Sequence, residues 1–194
     1  MNKLPLLLEQ IRQCQHCAAH LPLKPNPILR AQSQSRLLIV GQAPGIRVHQ
    51  TGIPWNDPSG DRLRQWLNCD KKTFYDESRI AIIPMGFCYP GTGPSGDLPP
   101  RKECARHWLT PLLAALPHIQ LTLLIGQYAQ QHYLKDRRKK TLTDNVAFFS
   151  EYLPQYFPLP HPSPRNNIWL KRNPWFEKTV VPALQTICSN LLEN

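Results

Sequence analysis

Three short runs along the chain are almost wholly apolar: Leu37-Leu38-Ile39-Val40, Ile80-Ala81-Ile82-Ile83 and Leu121-Thr122-Leu123-Leu124-Ile125. Their residues do not alternate with polar ones, which is the pattern of parallel strands covered on both faces. A fourth run, Tyr156-Phe157-Pro158-Leu159, carries the same signal in weaker form. Between the runs, apolar positions fall at helical spacing. Leu63, Trp66 and Leu67 predict a helix starting at Ser59 or Asp61, and Cys104, Trp108, Leu112, Leu113 and Leu116 predict another from Pro100 toward Pro117. Asn173 followed by Pro174 has the cap and first-turn pattern of a final helix, which Pro182 should kink or divide. Strand alternating with helix predicts an α/β fold, a three-layer α/β/α sandwich around a central, mainly parallel four-stranded sheet.

The connections are as informative as the elements. Twenty-one prolines gather in them, and three are long or unusual: residues 41–60 after the first strand, 85–100 after the second and 160–168 after the last. Loops of this length in a compact domain usually carry function. Segments that follow the strands of an open parallel sheet emerge at one carboxyl edge, so these three are expected to converge on one cleft. No internal repeat and no second boundary interrupts the chain. Residues 1–194 are therefore read as one domain, a size that fills a single core without disulfide staples.

Composition narrows the class. No stretch approaches the roughly 18 uninterrupted apolar residues that span a membrane. The start, Met1-Asn2-Lys3-Leu4-Pro5, leads into a polar stretch in place of the apolar centre of a secretory signal. A cytoplasmic location, reduced thiols and a monomeric state are expected. A net charge of +10 makes nucleic acid the first candidate partner, although charge alone does not decide this.

The first long loop reads Gly41-Gln42-Ala43-Pro44-Gly45 and continues through Thr51-Gly52-Ile53-Pro54-Trp55-Asn56-Asp57-Pro58-Ser59-Gly60-Asp61. It lacks the Gly-Lys-Ser or Gly-Lys-Thr of a phosphate-binding P-loop. The last loop reads His161-Pro162-Ser163-Pro164-Arg165-Asn166-Asn167. Together the two resemble the paired signature loops of the uracil-DNA glycosylase superfamily. Gly41 to Gly45 is similar to the first signature of family four, His161-Pro162-Ser163 to the second signature of several families, and Asp57-Pro58-Ser59-Gly60-Asp61 to a segment of family five.

Cys14 and Cys17 form a C-x2-C pair, and Cys88 and Cys104 lie in the second long loop and the helix after it, with 15 residues between them. In a reducing compartment this suggests a metal site. Spacing leaves the metal open between zinc and an iron–sulfur cluster. The resemblance to families four and five implies a [4Fe-4S] cluster on these four thiols, leaving Cys69 and Cys188 as packed thiols.

The same resemblance implies cleavage of an N-glycosidic bond in DNA, with the base leaving as an anion and the sugar passing through a cation-like state. It assigns His161 as donor to a base oxygen, Asp57 as the carboxylate, and Gln42 as a further catalytic position. Ala43, Trp55 and Met85 are expected around the base, with Trp55 as an aromatic platform. Ser163, Arg165, Asn166 and Lys171 are expected against DNA. Asp57 also suits the cap of the helix near Ser59. Two departures bear on the substrate. Gln42 stands where family four has a glutamate, and Pro84-Met85-Gly86-Phe87 replaces the asparagine-bearing segment that reads uracil. The expected target is thus a deaminated base, uracil first and hypoxanthine or xanthine next. A damage-binding protein without turnover is the alternative.

Overall fold

The computed structural model describes residues 3–94 and 96–192. The chain runs α1 (Leu4–Arg12), β1 (Leu37–Val40), α2 (Ile46–Thr51), α3 (Pro58–Leu67), α4 (Lys71–Phe74), β2 (Ile80–Ile82), β3 (Thr92–Gly93) and β4 (Gly96–Asp97). It continues through α5 (Lys102–Cys104), α6 (Thr110–Ala114), β5 (Leu121–Ile125), α7 (Gly126–Leu134), α8 (Leu142–Ala147), β6 (Tyr156–Leu159), α9 (Asn167–Arg172) and α10 (Val181–Leu192).

The four apolar runs pair in the order β2-β1-β5-β6, every pair parallel. Successive strand residues point to opposite faces, and here both faces are covered. Leu38, Val40, Ala81 and Leu124 join α1, α6 and α7 on one side. Leu37, Ile39, Ile80, Ile82, Leu121, Leu123 and Ile125 join α3, α8 and α10 on the other. Two apolar cores on one sheet explain why the strands read as continuous runs, and they give the three layers expected. Pro158 fits because β6 is an edge strand, where a missing N–H leaves no central ladder bond unmade. Among the described residues, no helix is long and apolar enough to cross a membrane.

Three details differ from the sequence-based expectation. β2 stops at Ile82, although Ile83 stays buried and its N–H still reaches the Ile39 carbonyl. The helix expected from Pro100 begins at Lys102, because Arg101 is still extended. The disturbance expected at Pro182 appears as a single π turn, Phe176–Val180, just before it, and a second π turn, Ala105–Leu109, precedes Pro111 in the same way. A proline ring crowds the preceding turn and offers no N–H to it, so the turn widens and the helix continues.

Candidate active site

β1, β5 and β6 end at neighbouring levels of the sheet, so Gly41, Gly126 and Pro160 leave it side by side. Gly126 has φ +79°, and a β-carbon there would sit 3.8 Å from that of His161. The first and last signature loops therefore share the carboxyl edge, as expected of the three converging connections.

Trp55 is the hinge of the first loop. Its indole lies on the exit of β1, where a β-carbon at Gly41 would approach Cζ2 to 2.9 Å. Its φ of +58° is a left-handed conformation that an aromatic residue rarely adopts. Arg64 holds it there from behind. This guanidinium is buried, donates to the Trp55 carbonyl at 3.4 Å, pairs with Asp61 at 2.6 Å and lies against the rings of Phe74 and Tyr75. The Tyr75 hydroxyl donates to the Pro54 carbonyl at 2.9 Å. Sequence reasoning missed Arg64; its one signal was a cation on the face of α3 that carries Leu63 and Leu67.

His161 stands with its ring centroid 5.7 Å from that of Trp55, tilted 37°. Its Nδ1 accepts the Ser163 N–H at 3.2 Å, which assigns the ring proton to Nε2. Burial pushes its pKa below the ordinary 6.5, while the charges of Asp57 and then Asp97 pull it back up. His161 is thus a neutral imidazole with a donor at Nε2. Its loop is braced twice. The Asn166 amide donates to the His161 carbonyl at 2.7 Å. Arg62, which sequence reasoning passed over, donates to the Ser163 carbonyl at 3.1 Å and to Asn167 Oδ1 at 2.8 Å.

Asp57 has two relations at once. Its Oδ1 accepts the Gly60 N–H at 2.8 Å as the cap of α3, and its charge acts on His161. Gln42 Nε2 donates to the Leu98 carbonyl at 2.9 Å, so its amide ties the first loop to the second. Ala43 follows it, half-buried. Met85 donates its N–H to the Gly41 carbonyl at 2.9 Å, but its side chain is buried in the core on the α1 side.

The second loop contains the hairpin β3–β4, with Thr92 opposite Asp97 and Gly93 opposite Gly96. Gly96 has φ +127°, and a β-carbon there would overlap the Arg165 guanidinium, so Arg165 lies against the hairpin. Asp97 is exposed. Its Oδ1 accepts from the Thr92 hydroxyl at 3.1 Å, the Tyr89 hydroxyl is 2.6 Å from that of Thr92, and Oδ2 sits 3.2 Å from where a Gly45 β-carbon would be. Ser163 accepts the Arg165 N–H at 3.2 Å, opening a short turn. Lys171 and Arg172 are exposed on α9.

All six cysteines are free. Cys14 and Cys17 follow α1, Cys88 opens the second loop and Cys104 ends α5. Burial raises the Cys88 thiol to about 11 and Cys104 to about 12. Cys14 and Cys17 push Cys88 further up, and Cys17, Cys88 and Cys14 do the same to Cys104, so the four thiols share one locality. Against burial, Arg101 lowers the Cys17 thiol, the backbone of Asn26 that of Cys88 and the backbone of Phe87 that of Cys104, each by favouring the thiolate. Among the described residues, no three His, Cys, Asp or Glu side chains close on a point that would hold one metal ion. Cys69 and Cys188 lie on the other side of the sheet, in or against the second core.

Two grooves, one of about 380 Å³, flank α1 and include none of these residues. The cluster at the carboxyl edge, where His161 stands beside Trp55 and in the field of Asp57, is the candidate site. The sequence of residues 30–185 matches the family model described as the Uracil DNA glycosylase superfamily.

Proposed function

The chain belongs to the uracil DNA glycosylase superfamily, and from that premise we propose that it hydrolyses the N-glycosidic bond of a deaminated base flipped out of DNA. Uracil is the first target, with hypoxanthine and xanthine next. The observation that carries this reading is His161, a neutral imidazole with its proton on Nε2, set beside Trp55 at the edge where the loops converge.

A departing base carries away the bonding electron pair, and a fixed donor at its oxygen stabilises that charge. One such donor is worth about 3–4 kcal/mol, or roughly 10²–10³ in rate. Ser163 N–H holds the tautomer, and Asn166 and Arg62 hold the loop, so the donor is oriented before the base arrives. Extrusion of a base costs a few kcal/mol, and stacking on an aromatic face returns about 1–3 kcal/mol; Trp55 has the position for this. The Asp57 charge favours the positive sugar. Lys171, with Arg165 and Ser163 of the last loop, offers phosphate contacts in keeping with the net charge of +10.

The four thiols fit a [4Fe-4S] cluster in donor number and in the thiolate-favouring groups beside three of them, with Cys17 and Cys104 buried and Cys14 and Cys88 half-buried. Bound there, the cluster supplies a structural cross-link. Cys14 and Cys17 would tie the amino-terminal segment to Cys88 and Cys104, ordering the Pro- and Gly-rich loop that bears the hairpin.

The test is incubation of the protein with oligonucleotides containing uracil, hypoxanthine or xanthine, followed by alkali. Strand breakage is expected, with the single-turnover rate of His161→Ala lower by about 10²–10³. Tight binding without breakage would instead assign a damage-binding protein.

A further inference from the structure

We propose that Asp97 is a second catalytic carboxylate, the group that orients the attacking water, and that Thr92 and Gln42 are its positioning residues. This rests on the glycosylase reading above and deepens it. The chemistry needs a water held for attack at the sugar carbon. Asp57 is anchored into the first turn of α3 by the Gly60 N–H. Asp97 is exposed, lies on the hairpin that leans over the first loop, and brings Oδ2 into the space left by the missing side chain of Gly45.

The support built around Asp97 is more than a solvated surface charge requires. Thr92 has one hydroxyl proton and gives it to Oδ1, so the Tyr89 hydroxyl must donate to Thr92. The result is a directed chain, Tyr89 to Thr92 to Asp97, starting from a buried ring. Gln42 fixes the backbone next door, donating to the Leu98 carbonyl at 2.9 Å. A glutamate at that position has no proton to give at neutral pH, which accounts for an amide there. The charge of Asp97 also acts on His161.

In the step, the bond from the sugar carbon to the base nitrogen breaks and its electron pair leaves with the base. The water oxygen bonds to the same carbon, and the water proton passes to the Asp97 carboxylate. The base anion accepts the His161 hydrogen bond and takes a proton from solvent on release.

The test uses the full chain and a uracil-containing oligonucleotide. Asp97→Asn is expected to lower the single-turnover rate by about 10²–10⁴, while the Kd for the same oligonucleotide bearing 2′-fluoro-2′-deoxyuridine, which resists cleavage, stays the same or falls. Thr92→Val is expected to slow the reaction with unchanged Kd, and Thr92→Ser, which keeps the hydroxyl, to restore it. Release at the wild-type rate by Asp97→Asn, or a loss of rate matched by an equal loss of affinity, overturns the role of Asp97 and leaves the glycosylase reading intact. Failure of the wild-type chain to release uracil, hypoxanthine or xanthine overturns that reading, and this inference with it.

Discussion

A β-carbon added at position 60 would overlap the Trp55 carbonyl, which is already committed to Arg64 and to a left-handed backbone. At an ordinary helix position, glycine to alanine stabilises by up to about 1 kcal/mol. At Gly60 the sign should reverse. Gly60→Ala is expected to destabilise by about 1–3 kcal/mol, the usual cost of overpacking, and to lower activity because Trp55 must shift. Urea denaturation measures the first effect; a stabilised variant would show that Trp55 is free to move. His161 offers a pH test at the same scale. Burial lowers its folded pKa below 6.5, so between 6.5 and that lower value the unfolded chain binds a proton that the native chain refuses. Stability therefore falls as pH drops through this window and is fully retained above it. Measured from about pH 8 to about pH 5, His161→Gln should lose less stability than wild type. His132 is shifted the same way by its own burial and by Lys135, but it is present in both proteins and cancels. Parallel profiles would refute a neutral imidazole with a lowered pKa.

Among the elements, legibility followed the number of apolar contacts each one makes. β1, β2 and β5 were legible because both of their faces enter a core, and α3 because Leu63, Trp66 and Leu67 repeat at helical spacing above a capping Asp57. The hairpin β3–β4 was not, since Thr92, Gly93, Gly96 and Asp97 bury no apolar face and carry no alternation. Its shape comes from polar contacts, Gln42 to Leu98 and Thr92 to Asp97, with the Arg165 guanidinium lying against Gly96. Sequence spacing cannot report such contacts. For the same reason the cap that Asp57 makes to Gly60 was legible, because it is local to the start of α3, while the bond from Gln42 to Leu98 was not. Gln42→Glu tests the brace. A carboxylate would face the Leu98 carbonyl with no proton to share, so the Leu98 N–H, now bonded to the Gly91 carbonyl at 2.8 Å, should exchange with deuterium faster, and base release should slow. Unchanged exchange, or a faster enzyme, would mean that the amide is not what holds the hairpin.

Across the whole molecule, the four clustered cysteines join what the sheet does not. α1 and the segment after it pack on one layer, whereas the second long loop reaches over the cleft edge. Cys88 lies next to Tyr89, from which the hydrogen-bond chain runs through Thr92 to Asp97. A group bound by Cys14, Cys17, Cys88 and Cys104 would therefore order the β3–β4 hairpin from a distance. Protein purified without oxygen is expected to carry iron and sulfide, with brown colour and broad visible absorbance. Cys88→Ser should lose both iron and colour, and with them hairpin protection and base release. Cys69→Ser is the matched control, because Cys69 packs against the opposite core and should leave iron content unchanged. A colourless wild-type protein with stoichiometric zinc would replace the cluster with a zinc site on the same thiols. Full base release by an iron-free Cys88→Ser variant would go further, since it would sever the link between the cysteine locality and the hairpin that the Tyr89–Thr92–Asp97 chain implies.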